Sequence, residues 1–352
     1  MTRIAAVHGA LAPYRFAQAD ITDMVAAACL PRGADRRVLD RLHRNAGVRS
    51  RHMTLPLDRY GTLDGFGAAN DLYITTATDL GARAVRDALR AAGLSASDVD
   101  LLVFTSVTGV AVPSVDARVA VRLGLRPDVR RVPLFGLGCA GGAAGLARVH
   151  DFLLGRPEQV AVLLSVELCS LTFQRGDAST ANLVATGLFG DGAAAVVACG
   201  ADRADAFTGP TVVDSRSRLY PDAGGLLGWD IGDSGFKVVL DPGIPQALRH
   251  HLADDVREFL GDHGLKPQDV TAWVCHPGGP RILESVTDAL DLPAEELALS
   301  WRHLAEVGNL SSSSVLHVLR DTLTERRPPP GTPGLLLAVG PGLACEWVLL
   351  SW

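Results

Sequence analysis

The chain contains two copies of one sequence pattern, and this internal repeat restricts the fold more than any other feature. The segment "ALRAAGLSASDVDLLVFTS" (88–106) matches "EFLGDHGLKPQDVTAWVCH" (258–276), 170 residues further on. In each copy a helical pattern ends at a glycine, Gly93 or Gly264, and an Asp-Val pair then leads into an apolar strand. The repeat predicts a chain of two similar halves, which we place at residues 1–205 and 206–352.

Apolar runs of strand length alternate with helical patterns along both halves. Examples are "DLLVFTSVTG" (100–109), "VAVLLSVELC" (160–169) and "GLLLAVGPG" (334–342). This alternation is typical of an α/β fold in which buried strands are joined by helices. With 352 residues, 47% of them hydrophobic, the chain is long enough to bury a large core.

Charge and cysteine usage exclude several classes of function. The net charge is −6 and the charged residues are interspersed, so we expect no nucleic-acid or membrane-surface partner. Because no run of 18 apolar residues and no long apolar leader occurs, we expect a cytoplasmic protein. The six cysteines are scattered without a CxxC pair, so we expect neither disulfides nor a metal site.

The repeat also relates Cys139 to Asn309, which lie 170 residues apart. Gly138-Cys139 precedes "AGGAAGL" and Gly308-Asn309 precedes "LSSSSVL", so a run of small residues opens a helix in both halves. Small side chains predict that these two helices pack closely, side by side, with their N-termini pointing the same way. Each N-terminus carries unpaired N–H groups and partial positive charge, which would stabilise negative charge there.

Cys139 is the candidate nucleophile. A lone cysteine in an apolar setting is usually a small buried hydrophobe, and that remains the alternative interpretation. At a helix N-terminus, with glycines around it, we instead expect a lowered thiolate pKa and room for an acyl group.

His276 and Asn309 are the candidate partners of Cys139. His276, in "VCHPGGPRIL", follows a strand predicted to reach the Cys139 helix, where an imidazolium would pair with the thiolate. Its alternative is a core or turn histidine. Asn309 is either a helix N-cap or an amide donor to a developing oxyanion, shared with the imidazole.

Four motifs in order give the chain a resemblance to a known family. They are "GLFGDGAAAVV" (187–197), "CHPGGPRIL" (275–283), "GNLSSSSV" (308–315) and "GPG" (340–342). Together with the order Cys, His, Asn, they resemble the thiolase-like condensing enzymes and, more narrowly, the type III polyketide synthases of the chalcone synthase family. The resemblance covers residue 40 to the end. It implies a thiolase-like duplicated α/β fold with five αβαβα layers, one thiolase-like half before residue 206 and one after it.

The resemblance also implies roles for individual residues. Cys139 would carry the acyl group, while His276 and Asn309 would promote decarboxylation of malonyl-CoA. Phe189 and Phe236 match the aromatic gatekeepers of the cavity, with core packing as the alternative. The other residues assigned to substrate binding are Val107, Thr172, Gly340 and Pro341 around the cavity and Arg41 and Arg44 at the CoA phosphates, where solvated arginines are an equal alternative.

Two departures from the family pattern bear on the product. The cavity loop reads Ala338-Val339-Gly340-Pro341-Gly342, in place of the family's "GFGPG". Val107 stands where bacterial enzymes that make tetrahydroxynaphthalene from malonyl units typically carry cysteine. The strings "TSVTGVAVPS" (105–114), "FGLGC" (135–139) and "SVELCSLTF" (165–173) resemble the bacterial branch that makes alkylpyrones and alkylresorcinols. The apolar residues Val107, Ala111 and Val112 suggest an apolar cavity wall with room for an alkyl chain, which favours a fatty acyl-CoA starter.

The implied reaction is iterative decarboxylative condensation of malonyl-CoA onto an acyl group held by Cys139, followed by closure to a pyrone or resorcinol. CoA thioesters would be the only substrates, without a metal or redox cofactor. The family implies a homodimer. A single-round 3-oxoacyl synthase and a malonyl-primed aromatic polyketide synthase remain alternatives, and the starter, the number of extensions and the cyclisation mode stay open.

Overall fold

The structure is a computed structural model that describes residues 1–352. Its helices are α1 Gln18–Cys29, α2 Arg37–Asn45, α3 Gly65–Ala91, α4 Val115–Leu123, α5 Gly141–Leu154, α6 Thr180–Leu188, α7 Ile244–Gly261, α8 Pro280–Leu290, α9 Ala298–Val307 and α10 Ser314–Glu325. Its strands are β1 Thr2–Leu11, β2 Tyr14–Ala17, β3 Ser50–Met53, β4 Leu101–Thr105, β5 Arg130–Leu134, β6 Val160–Leu168, β7 Asp191–Cys199, β8 Thr211–Leu219, β9 Leu227–Gly232, β10 Gly235–Leu240, β11 Ala272–Cys275, β12 Pro333–Gly340 and β13 Ala344–Ser351. The chain is therefore a mixed α/β protein, as the alternating pattern predicts.

Nine strands form a continuous sheet in the order β11-β12-β13-β8-β1-β7-β6-β4-β5. The run β4-β6-β7-β1 has one parallel pair followed by two antiparallel pairs. The run β11-β12-β13-β8 has the same sequence of pairings. Only the short β1–β8 pairing joins the two runs, at Thr2 and Arg3. The duplication predicted from the sequence is therefore confirmed at the level of strand order and direction.

Side chains on alternate residues of the strands face different layers, because a strand presents successive residues to opposite sides. On β7, Ala195 and Val197 belong to the apolar cluster that contains α3 and α4. Ala194 and Val196 belong instead to the cluster that contains α5 and α10. In the second half, β12 likewise lies between the cluster with α5 and α10 and the cluster with α7 and α8. Helices and sheets thus alternate in five layers, which confirms the predicted thiolase-like architecture.

The central layer consists of α5 and α10, and small residues let them approach closely. A Cβ atom placed on Gly142 would lie 2.3 Å from the carbonyl oxygen of Ser312 and 2.9 Å from Val315. A one-turn 3₁₀ segment precedes each helix, Gly138–Ala140 before α5 and Ser311–Ser313 before α10. The predicted close packing of two helices that start at equivalent points is confirmed.

The halves differ in two places. β5 has no counterpart in the second half, where α9 lies between α8 and α10 instead of a strand. The second half also carries the β9–β10 hairpin, a separate two-stranded sheet. The predicted division between residues 205 and 206 falls in the 3₁₀ segment Ala201–Ala206, between β7 and β8. None of the helices combines the length and the apolar character that crossing a membrane requires.

Candidate active site

Cys139 lies in the 3₁₀ turn that begins the central helix α5. Its side chain is partly exposed, and its Sγ–H donates to Ser311 Oγ at 3.7 Å. Burial of the sulfur raises the pKa of Cys139 to about 12, although hydrogen bonds from Ser311 and Asn309 act in the opposite direction. The expected lowering of the thiol pKa at the helix start is therefore wrong for this state of the molecule, because desolvation outweighs the N-terminal donors.

His276 follows β11 directly, and its backbone N–H donates to the carbonyl of Leu337 at 2.8 Å. The side chain is buried, and neither ring nitrogen has a hydrogen-bond partner within the protein. Burial lowers the pKa of His276 to about 3, so its imidazole is neutral at pH 7. The expected imidazolium–thiolate pair with Cys139 is absent from this structure, because the same desolvation favours the neutral form of both groups.

Asn309 joins the elements that carry the other two residues. Its Nδ2 donates to the carbonyl of Gly278, two residues after His276, at 3.2 Å. Its Oδ1 accepts the backbone N–H of Ser311, the residue whose hydroxyl accepts from the Cys139 thiol, at 2.7 Å. Asn309 therefore caps the turn that follows it, and its role as an amide donor to an oxyanion stays a prediction.

Glu167 is a residue of this site that the sequence reasoning missed. It is fully buried on β6, and its Oε2 accepts from the backbone N–H of Val107 at 3.1 Å and from Thr108 Oγ1 at 3.0 Å. Its Oε1 accepts from Ser312 Oγ. Burial raises the pKa of Glu167 to about 7. The sequence does carry a signal for this residue, since Glu167 is the only charged residue in the buried strand Val160–Leu168.

Phe189 lies directly beside Asn309, with which it forms a parallel β-bridge. The backbone N–H of Asn309 donates to the carbonyl of Leu188 at 2.8 Å, and Arg51 Nη1 donates to the carbonyl of Phe189 at 2.6 Å. The ring of Phe189 lines a narrow cavity of about 40 Å³ that also contains Cys169. Phe189 thus stands between the reactive residues and this cavity.

Phe236 and Thr172 belong to a second, larger cavity of about 430 Å³. Phe236 is buried on β10, with its ring centroid 5.4 Å from that of Phe66 and 5.8 Å from that of Trp229. Thr172 lines both cavities, and its Oγ1 donates to the carbonyl of Cys169. The structure therefore brings Phe236 and Thr172 to one cavity wall, although Cys139, His276 and Asn309 line neither cavity directly.

Three further predicted residues lie near Cys139. Pro341 packs against Gly138, and a Cβ atom on Gly340 would lie 2.4 Å from the carbonyl oxygen of Leu137. Val107 is buried and contacts Glu167 through its backbone N–H. The expectation that Val112 forms a cavity wall is wrong for the single chain, because its side chain is 98% exposed.

Arg41 and Arg44 are exposed on α2, on the rim of a shallow surface depression that also contains Arg37. Neither forms an ion pair, whereas Arg37 pairs with Asp35. The structure places both arginines at the surface, apart from the buried cluster around Cys139.

Comparison with known proteins adds to this geometry. Family models described as the N-terminal and C-terminal domains of chalcone and stilbene synthases match residues 6–203 and 211–351. A 1,3,6,8-tetrahydroxynaphthalene synthase of Streptomyces peucetius subsp. caesius is 60% identical over 352 residues, which are 100% of this chain and 93% of that protein. A putative chalcone synthase of Bacillus subtilis is 36% identical, over 89% of each chain.

Solved structures agree with the sequence comparisons. The tetrahydroxynaphthalene synthase of Streptomyces coelicolor, a bacterial type III polyketide synthase, superposes with a TM-score of 0.93 at 30% identity and covers 99% of both chains. PKS-I of the brown alga Ectocarpus siliculosus superposes with a TM-score of 0.94 at 27% identity, over 99% of this chain and 98% of the other. The chain belongs to the chalcone and stilbene synthase family and is a type III polyketide synthase, an acyl-transferring enzyme that condenses malonyl-CoA iteratively.

Proposed function

We propose that Cys139 carries the growing acyl chain and that His276 and Asn309 activate malonyl-CoA beside it. The supporting observation is that Asn309 donates to the loop after His276 and holds the backbone N–H of Ser311, whose hydroxyl accepts from the Cys139 thiol, so hydrogen bonds connect the segments of all three residues. Cys139 is partly exposed as a residue, whereas Cys29, Cys169, Cys199, Cys275 and Cys345 are buried. A cysteine at this position can therefore be reached by a thioester and can hold its acyl group.

The neutral state of His276 suits this reaction. Loss of CO₂ from malonyl-CoA leaves an enolate, whose oxygen needs hydrogen-bond donors rather than a further base. A neutral imidazole supplies one N–H, and the Asn309 amide supplies another. Preorganised donors of this kind typically contribute about 3 kcal/mol each to transition-state stabilisation. The enolate carbon then attacks the Cys139 thioester. This carbon–carbon bond formation changes no oxidation state that would call for a redox cofactor, and its substrates are CoA thioesters.

Malonyl-CoA is the starter as well as the extender in our proposal, and the product is a hydroxylated aromatic pentaketide of the tetrahydroxynaphthalene class. The main support is the 60% identity to a tetrahydroxynaphthalene synthase over the whole chain. The lining of the larger cavity agrees with it, since the side chains of Asn70, Thr108, Thr172 and Gln174 surround it together with Phe236. Polar groups of this kind can hydrogen-bond a poly-β-keto chain, which carries a carbonyl on every second carbon.

A fatty acyl starter, favoured by the sequence, remains the second candidate. The narrower cavity supports it, because most of its lining is apolar, including Ile21, Met24, Val25, Phe173 and Val238. An alkyl chain would pack against these apolar side chains without burying a polar group of its own.

The starter is tested by incubating the purified enzyme with malonyl-CoA alone and with malonyl-CoA plus acyl-CoAs of several chain lengths, and analysing the products by mass spectrometry. We expect an aromatic pentaketide from malonyl-CoA alone, at a rate that acyl-CoAs do not increase. Products that contain the added acyl chain would favour the second candidate. A product of one condensation would favour a single-round synthase and contradict the proposal.

The residue roles are tested by separating acyl transfer from decarboxylation. Cys139→Ala should form no acyl adduct by intact-mass measurement yet still release CO₂ from malonyl-CoA. Asn309→Ala should form the adduct but release CO₂ with kcat lowered about 10²-fold, as expected for loss of one oxyanion donor. An acyl adduct that persists in Cys139→Ala would exclude Cys139 as the carrier.

We also propose that the active form is a homodimer and that Arg41 and Arg44 bind the CoA phosphates. The edge strand β5 exposes the apolar side chain of Val132, and Phe135, which follows the strand directly, is 51% exposed. A second copy that covers this edge would remove apolar surface from water. The two arginines are unpaired, as a phosphate site requires, and Arg41→Ala with Arg44→Ala should raise KM for malonyl-CoA without lowering kcat.

A further inference from the structure

Arg51 is a buried arginine whose hydrogen bonds go to neutral oxygens and not to a carboxylate. It is 2% exposed, and its Nε donates to Gln18 Oε1 at 3.1 Å. Its Nη1 donates to the carbonyl of Phe189 and its Nη2 to the carbonyl of Thr186, each at 2.6 Å. A buried cation costs free energy unless its donors are satisfied, and these three acceptors satisfy a donor on each nitrogen.

Both carbonyls belong to the C-terminal end of α6, where the chain leaves the helix for β7. In a continuing α-helix the carbonyl of Thr186 would accept the N–H of Gly190, four residues further on. Gly190 instead donates this N–H to the carbonyl of Asn309 at 2.9 Å. Arg51 Nη2 takes the place of Gly190 on the Thr186 carbonyl. A cation is favourable there, because the last carbonyls of a helix lack intrahelical donors and carry partial negative charge.

The main chain of Asn309 pairs with the two residues that flank Phe189. Its N–H donates to the carbonyl of Leu188 at 2.8 Å, and its carbonyl accepts from Gly190. Arg51 holds the carbonyl of Phe189, which lies between these two residues. The guanidinium therefore fixes the segment with which Asn309 forms its bridge.

The methylene groups of Arg51 pack against Gly308, the residue before Asn309. A Cβ atom on Gly308 would lie 2.9 Å from Arg51 Cγ, 3.0 Å from Arg51 Cδ and 2.7 Å from the carbonyl oxygen of Leu188. Gly308 also has a φ of +81°, which disfavours any side chain there. Arg51 thus contacts both partners of the bridge, with its guanidinium on the Phe189 side and its methylene groups on the Asn309 side.

We propose that Arg51 is the positioning residue of Asn309: by holding the carbonyls of Thr186 and Phe189 it keeps Gly190 paired with Asn309, and so fixes where the Asn309 amide lies. The inference rests on the proposed role of Asn309 as a donor to the enolate. Arg51 acts through the bridge and not on the substrate. Without the guanidinium the Gly190 N–H would turn back to the Thr186 carbonyl, α6 would lengthen, and the bridge to Asn309 would open.

Arginine suits this position better than any other cationic side chain. Its planar guanidinium presents N–H groups in a fixed fork, so three nitrogens reach three acceptors at once. Lysine carries the same charge on a single nitrogen. Arg51→Lys therefore keeps a cation at the end of α6 and removes the fork.

The inference is tested by measuring CO₂ release from malonyl-CoA and acyl loading of Cys139 in Arg51→Lys, Asn309→Ala and the double variant. In Arg51→Lys we expect kcat for CO₂ release to fall roughly tenfold, because a displaced donor stabilises the transition state less well, while KM for malonyl-CoA stays unchanged. Loading of Cys139, followed by intact mass, should match the wild type. The double variant should be no slower than Asn309→Ala, because Arg51 acts through the amide that this variant lacks.

Hydrogen exchange tests the same contacts without substrate. The amides of Gly190 and Asn309 should exchange roughly tenfold faster in Arg51→Lys, as expected when a charge-assisted hydrogen bond is lost. Arg3→Lys is the matched control, because Arg3 also donates to a backbone carbonyl, that of Gly209 at 2.8 Å, but lies on β1 and does not contact α6. This control should keep the wild-type kcat and the wild-type exchange rate at both amides.

Two results would overturn the inference. One is an Arg51→Lys variant with wild-type kcat and wild-type exchange, and the other is a double variant in which the two losses of kcat multiply. Should Arg51→Lys not fold, Gln18→Leu decides the question. It removes the acceptor of Arg51 Nε, and Gln18 Nε2 also donates to the carbonyl of Gly187 in α6, so the same non-additive loss with Asn309→Ala is expected.

The inference and the proposed function fail separately. If Asn309→Ala releases CO₂ at the wild-type rate, the proposed role of Asn309 is wrong, even when Arg51→Lys speeds the exchange of both amides. If Asn309→Ala loses decarboxylation while Arg51→Lys keeps the wild-type kcat and exchange, only the positioning role of Arg51 is wrong.

Discussion

The ring of Pro341 packs against Gly138, the residue that immediately precedes Cys139. A Cβ atom on Gly138 would lie 2.3 Å from Pro341 Cδ, and Gly138 has a φ of +48°. The "GPG" turn of the second half therefore sets the position of the cysteine turn of the first half, and only glycine meets both the steric and the backbone requirement.

Gly138→Ala should displace the Cys139 turn and destabilise the protein by about 2 kcal/mol, in the range of overpacked core substitutions. Chemical denaturation measures the loss, and the alkylation rate of Cys139 reports the displacement. Gly136 also has a positive φ but no neighbour within 4 Å, so Gly136→Ala shares the backbone strain without the clash. Equal losses in the two variants would show that contact with Pro341 is unimportant.

The buried histidines should make the protein sensitive to mild acid. Burial and neighbouring cationic groups hold the pKa of His303 well below its ordinary value, and one ring nitrogen has no partner. When burial depresses the folded-state pKa of a base, the unfolded chain binds the proton at a higher pH than the folded chain does. The free energy of unfolding therefore decreases as the pH falls below about 6.5, the ordinary pKa of histidine. Each such histidine lowers the free energy of unfolding by about 2 kcal/mol between pH 7 and pH 5.

His303→Leu should reduce this acid sensitivity. Urea denaturation of the wild type and the variant at pH 7 and pH 5 measures it, with the expectation that the pH-dependent loss is smaller by about 2 kcal/mol in the variant. Because Glu167 titrates the same way in both proteins, the comparison isolates the histidine. An unchanged difference between the two pH values would mean that His303 is protonated in the folded state.

The exposed edge at β5 should control association. Val132 lies on this edge strand, and Val132→Lys would place a charge where an apolar contact is expected. We predict that sedimentation velocity detects a dimer for the wild type and a monomer for the variant. Ile231, an equally apolar exposed residue on the β9–β10 hairpin, provides the matched control Ile231→Lys, which should remain dimeric. A dimer in both variants would place the contact elsewhere.

Gln174 should determine how firmly the β9–β10 hairpin is held. Its Nε2 donates toward the carbonyls of Ser234 at 3.2 Å and Phe236 at 3.1 Å, and its side chain is buried. Gln174→Leu leaves both carbonyls without that donor, which costs about 1–3 kcal/mol locally. We predict a broader product distribution and a change in fluorescence of Trp229, which packs on Phe236. If Gln174→Leu makes the same single product as the wild type, the anchoring of the hairpin does not determine product specificity.

The features predicted correctly from the sequence were those carried by local patterns. Apolar runs such as residues 160–169 specify buried strands, and small residues after Cys139 and Asn309 specify helices that pack closely. The 170-residue repeat related these segments because the duplicated units keep their order. The contact between the two central helices could be inferred because the same sequence pattern occurs in both halves of the chain.

Electrostatics could not be predicted in the same way. The helix start of Cys139 indicated a lowered thiol pKa, but the surrounding layers bury the sulfur and raise it. Glu167 lies 28 residues after Cys139 in sequence, and only the packing of the 3₁₀ turn Ser311–Ser313 against β6 brings Ser312 to its carboxylate. Which charges lie near one another is a property of the assembled layers and not of any segment.

The central position of α5 and α10 has a consequence for local opening. Both helices are covered by the two runs of the nine-stranded sheet, so we expect their amides to exchange with solvent only when the whole domain unfolds. The two-stranded β9–β10 hairpin should open at a lower free energy. Cys139, the proposed acyl carrier, therefore lies at the start of one of the slowest-exchanging helices, whereas Phe236, on the hairpin, lies in a faster-exchanging part. Substitutions in the hairpin can change what is made while the chemistry at Cys139 is left intact.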